Sequence, residues 1–189
     1  MQLGLENDVD WRFIEHAPNL NSSTHNHQAM QTLDMECSLI LQRAPDISIN
    51  KPEFCVNTRL ATLSFISIQI SHPHIAYAYS SKLYEAYWQQ GKDISDTIVL
   101  RGILSHFDIN DLDFHDHAEE LQNRWQQQWR CGGFDERIPA MSSSENRLLL
   151  GLQHVDNIHN FCSNSPEALN TIRRRRPRGK GRDRGSAQQ

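Results

Sequence analysis

The sequence has four cysteines, Cys37, Cys55, Cys131 and Cys162, and no Cys-x-x-Cys among them. Spread this widely over 189 residues, they make neither the framework of a disulfide-stapled domain nor the paired spacing of a zinc site. Their plain reading is buried thiols in a reducing cytosol, which places the chain in the cytoplasm. No run approaches the roughly 18 consecutive apolar residues of a membrane span. The opening residues, Met1-Gln2-Leu3-Gly4-Leu5-Glu6-Asn7-Asp8, hold neither the basic nor the apolar region of a secretory signal. A phosphate-cradling loop is missing, because Gly132-Gly133 lacks the following Gly and Lys. The Gly-x-Ser-x-Gly elbow of a serine nucleophile is missing too, and Ser142-Ser143-Ser144 reads as a turn. No internal repeat is evident.

What is present suffices for a core. Hydrophobic residues make up 38% and charged residues 22%, in a length that suits one domain with a modest insertion. The net charge of -4 conceals a division. Residues 173–189 hold eight basic residues and one acid, a net of +7, which leaves eleven basic and twenty-two acidic residues in 1–172, a net of -11. An acidic body carries a short basic tail.

The patterning sets an order of elements. Val9-Asp10-Trp11-Arg12-Phe13 alternates as a strand does, and Ala17-Pro18-Asn19 stops it. From Gln28 to Arg43, Met30, Leu33, Cys37 and Ile40/Leu41 recur at helical spacing before Pro45. Pro52 can open a second helix with a stripe at Phe54, Thr58, Ala61, Phe65 and Ile68, although the β-branched run 63–70 leaves strand close behind. Pro73 suits the first position of a third helix, which ends at Gly91. Asp93 or Ser95 can cap a fourth. A longer helix carries Phe114, Ala118, Leu121, Trp125 and Trp129 into the core. After Gly132-Gly133 come an extended segment around Pro139, a turn over 142–146, a short strand at 148–150 and a last helix from Val155. A strand, a helical block, a hairpin and a closing helix describe an α/β layered domain that carries an insertion.

Ten histidines raise the question of a metal. His25-x-His27 and His72-Pro73-His74 can converge in loops, whereas His115-x-His117 on a helix would point to opposite sides. No further ligand completes a set, so no metal and no cofactor is expected. The tail, Arg173 to Arg184, is disordered by composition. Its plain reading is a solvated terminus, and its functional one is nucleic-acid binding through counterion release. Without an aromatic to stack bases, such binding would be salt-sensitive and non-specific.

Three runs carry a resemblance. Tyr84-Glu85-Ala86-Tyr87-Trp88-Gln89-Gln90-Gly91-Lys92-Asp93-Ile94-Ser95-Asp96, continuing to Val99-Leu100, resembles the insertion helices of DsbA-family thioredoxin-like proteins. Gly133-Phe134-Asp135-Glu136-Arg137-Ile138-Pro139-Ala140-Met141 with Leu148-Leu149-Leu150-Gly151 is similar to that family's cis-proline segment and final hairpin. Val9 to Phe13 with Ala17-Pro18-Asn19-Leu20 is similar to its second strand. The resemblance spans roughly residues 5–163. It implies a thioredoxin-like fold over residues 1–163, N-terminally incomplete, with a helical insertion over about 28–130 and the tail at 164–189.

The same resemblance implies what the chain lacks. Family members begin with a strand and a helix whose N-terminus carries the redox cysteines, where the helix end favours a thiolate. Neither is present, so the chain is expected to be redox-inactive and no catalytic residue is assigned. It is read as a piece of a longer chain, with a frame change near residue 172 as one source of the tail. By resemblance, Ile138 and Pro139 are the substrate-binding residues: a cis Pro139 would turn the Ile138 backbone outward to pair with an extended peptide. Peptide or protein thiols are then the partners, with no membrane partner. The insertion run also resembles 2-hydroxychromene-2-carboxylate isomerases and kappa-class glutathione transferases. That leaves a glutathione-dependent isomerase or transferase, or a non-catalytic peptide- or nucleic-acid-binding protein, as alternatives.

Overall fold

The computed structural model describes residues 9–15, 27–134, 137–143 and 147–162, which hold six α-helices and two short strands. The basic tail, the turn at 144–146 and His25 lie outside the described residues. The chain divides into two units, Met1–Gly133 and Phe134–Gln189.

The first unit is helical: α1 (His27–Arg43), α2 (Arg59–Ser71), α3 (Ala76–Trp88), α4 (Thr97–Leu104) and α5 (Ala118–Cys131). Its centre is α2, which packs against α3, α4 and α5. Every residue from Ala61 to Ile68 is buried, so this helix has no solvent face over two turns. That accounts for its ambiguous sequence: a helix covered on all sides needs no polar stripe, and β-branched residues serve it as well as any. Its buried hydroxyls are satisfied. Ser67 Oγ donates to the Leu63 carbonyl at 2.8 Å, and Ser64 Oγ meets Tyr79 Oη at 2.5 Å. Phe65, Ile66, Tyr79, Leu83, Leu100, Leu104 and Ala118 complete the middle of the core.

Several helix starts differ from the sequence expectation. The helix expected from Pro52 begins at Arg59, because Asn57 Oδ1 accepts the Arg59 N–H at 2.9 Å and turns the chain there. The cap of α4 is Asp96, whose carboxylate accepts the Ile98 N–H at 2.8 Å. Asp93 instead closes its own turn on the Ser95 N–H and hydroxyl at 2.8 and 2.5 Å. The long helix starts at Ala118 and not near Phe114, so Phe114 stays 40% exposed while Trp125 and Trp129 are buried. His115 and His117 therefore precede α5, and the His115 N–H is taken by Ser67 Oγ at 2.8 Å. Gly91 closes α3 with φ +63°, and a Cβ there would come within 3.0 Å of the Asn50 carbonyl.

Residues 9–15 form no strand. Their alternation is expressed without a neighbouring strand: Phe13 stacks on Phe65 with ring centroids 3.9 Å apart, and the backbone of Glu15 is held by Gln126.

In the second unit, β1 (Ala140–Ser142) pairs antiparallel with β2 (Leu148–Leu150), Ala140 opposite Leu150 and Ser142 opposite Leu148. Helix α6 (Val155–Cys162) follows Gly151, whose φ of +71° suits glycine although nothing crowds its Cβ position. Arg147 fastens α6 to the hairpin. Its guanidinium donates to the Phe161 carbonyl at 3.1 Å and lies 5.0 Å from the centre of the Phe161 ring.

Candidate functional site

The two residues singled out in the sequence stand at the mouth of the hairpin. Arg137 N–H donates to the Phe134 carbonyl at 2.9 Å, the Ile138–Pro139 peptide is cis, and the Pro139 carbonyl accepts the Gly151 N–H at 2.8 Å. That last bond extends the β1–β2 pairing one residue beyond Ala140. Ile138 is 47% exposed, and its amide and carbonyl form no hydrogen bond among the described residues. An exposed apolar side chain with unpaired backbone groups beside a short ladder is an edge that an extended chain can join.

The thiols are dispersed. Cys37 lies in the middle of α1, where burial pushes its pKa up against the lowering influence of Lys51. Cys55 is buried in the segment before α2, its Sγ 3.6 Å from Met30 Sδ. Cys131 is the exposed last residue of α5, and Cys162 is the last residue of α6. All four are free, and none occupies a helix N-terminus.

The histidine pairs do not gather ligands. The His72 and His74 rings lie 6.4 Å apart and the His115 and His117 rings 5.5 Å apart. Among the described residues, no group of three or more His, Cys, Asp or Glu side chains is placed to hold a metal ion. Among those residues, too, no helix is long and apolar enough to cross a membrane.

A second constellation escaped the sequence reading. Glu15 is only 4% exposed, and its carboxylate meets Arg59 Nη1 at 3.2 Å and the side-chain amide of Gln122. Arg59 also bridges to Glu119 at 2.9 Å. Gln126 clasps the Glu15 backbone, its Oε1 accepting the N–H and its Nε2 donating to the C=O, both at 2.9 Å. One signal was available. The buried stripe of α5 is Ala118, Gln122, Trp125 and Trp129, so a glutamine stands where the helical period calls for an apolar side chain. Such a group needs a polar partner, but nothing local identifies Glu15 as that partner.

No family model matches the sequence. No curated protein matches it either. Among solved structures, the chain is similar to one described as a "putative protein disulfide isomerase from Nitrosomonas europaea", with a TM-score of 0.63 and 15% identity. The match covers 80% of this chain and 78% of that one. At that identity the likeness concerns the fold alone.

Proposed function

We propose that the chain is a DsbA-like protein, related to thiol–disulfide oxidoreductases, that engages extended polypeptides carrying thiols and does no redox chemistry with its own cysteines. The observation that carries this reading is the placement of the four thiols within a fold that resembles a disulfide isomerase. Disulfide exchange needs an accessible thiolate, usually one that a helix N-terminus favours, and a second thiol to resolve the mixed disulfide. Cys37 and Cys55 are buried, and Cys131 and Cys162 close their helices instead of opening them.

The binding half of the proposal rests on the Ile138 edge. There a peptide would bond the free amide and carbonyl while its side chains lie against Ile138 and Pro139. The helical block then serves as the insertion of the DsbA-like fold, and a reducing cytoplasm is the proposed setting.

Two measurements test the two halves. In an insulin-reduction assay with dithiothreitol, the chain is expected to precipitate insulin no faster than the reductant alone, and turnover well above that background overturns the redox half. With reduced insulin B chain in excess, its thiols kept free by a reductant, amide exchange at Ile138 is expected to slow. Unchanged exchange at saturating peptide overturns the binding half.

A further inference from the structure

Residues 11–15 are held by the first unit in a way that does not require them to belong to the same chain. Three alternate side chains point into a cleft formed by α2, α3 and α5. Trp11 lies 5.8 Å from the Tyr77 ring, and Phe13 stacks on Phe65 at 3.9 Å and meets Tyr84 edge-on at 6.0 Å. The Glu15 carboxylate is buried against Arg59 and Gln122. The main chain is anchored by side-chain amides: Gln69 Nε2 donates to the Trp11 carbonyl at 3.1 Å, and Gln126 takes both backbone groups of Glu15. Amides that bond backbone groups read the extended shape of a chain, whatever its sequence. The aromatic floor and the Arg59–Gln122 pair read its side chains.

We propose that this cleft is a recognition site for an extended peptide of the pattern aromatic-x-aromatic-x-acid, occupied here by the chain's own residues 11–15. It uses none of the residues of the Ile138 edge. Its chemistry is complete: two aromatic positions two residues apart, then a carboxylate two further on, which matches the period of an extended strand. The resident segment sets the ligand class: Trp11, Phe13, Glu15 and their backbone make the ring, ion-pair and clasp contacts, while Arg12 adds one hydrogen bond to Gln128 at 2.9 Å and Ile14 packs against the core. Between Glu15 and α1 lie eleven residues in the sequence, a reach of at most about 40 Å. Because it is joined covalently to the unit that holds it, the resident segment competes with any free peptide. The site is therefore masked in the intact chain, and a partner's peptide gains entry when the resident segment is weakened or the partner is concentrated.

The test uses the full-length chain and a fluorescein-labelled peptide with the sequence of residues 9–15. In the Phe13→Ala chain the resident segment loses its stack, and the labelled peptide is expected to bind at least tenfold more tightly than to the wild type. A peptide with Gln in place of its Glu is expected to bind at least fivefold more weakly than the parent peptide. A cooperatively melting Phe13→Ala chain that binds no better than wild type overturns the proposal, as does indifference to the Glu-to-Gln change. Should that variant not fold, the wild type decides. Unlabelled peptide at millimolar concentration is expected to raise amide exchange at residues 11–15 while α2 and α5 stay protected, and no change there overturns the proposal.

Discussion

Tyr79 is fully buried, and burial pushes its pKa up to about 12 against the lowering hydrogen bond from Ser64. The neutral phenol is thus the form the folded state favours. For a group whose pKa is raised on folding, the stabilisation is complete below the unfolded pKa of about 10 and is lost as pH rises through the folded value. Ultraviolet absorbance at 295 nm should show this phenol ionising late, together with Tyr87, which burial likewise pushes up to about 12, and the melting temperature should fall between pH 10 and 12. The thiols give a second check at this scale. Cys131 should react first with a thiol-specific chromogenic disulfide, while Cys37 and Cys55 should react only on opening of the fold. Simultaneous modification of all four in the native protein would contradict the burial described above. Cys37 was legible as a buried thiol because it sits on a helical stripe with Met30, Leu33 and Ile40. Cys131 was not, since only the end of α5 at Gly132 puts it in solvent.

At the scale of elements, the helices and the hairpin were legible, whereas several helix starts and the fate of the first segment were not. The run Asp93-Ile94-Ser95-Asp96 offers two carboxylates of identical chemistry three residues apart, and only the path of the backbone into α4 decides which becomes the cap. Asp96→Ala should therefore cost about 1 kcal/mol in urea denaturation, and Asp96→Asn should recover most of it. A loss of only a few tenths would show that α4 is held by packing alone. The absent first strand has a different cause. Alternation in Val9–Phe13 specifies an extended chain with two unlike faces, but a strand exists only where a neighbour completes its hydrogen bonds. The described residues supply glutamine side chains there, so the segment is extended without being part of a sheet.

Across the whole molecule, the helical block between a lone extended segment and a hairpin follows the order that the sequence pattern suggested. The Glu15 cluster could not be read this way, because its members come from three distant stretches and each looks ordinary in its own neighbourhood. Gln126 is 111 residues from Glu15, so their pairing closes a long loop late in folding. Gln126→Ala should accordingly speed unfolding in stopped-flow denaturation while leaving the folding rate nearly unchanged. An equal slowing of folding would place the pairing in the nucleus instead. The clasp also has a consequence during synthesis. At 5–20 residues per second, a ribosome needs roughly 6–22 seconds to go from Glu15 to Gln126. For that interval Glu15 stands without its clasp, and Trp11 and Phe13 wait through part of it for Phe65, Tyr77 and Tyr84, so an early-made segment is late to come to rest, and a chaperone with a taste for aromatic residues would meet it first.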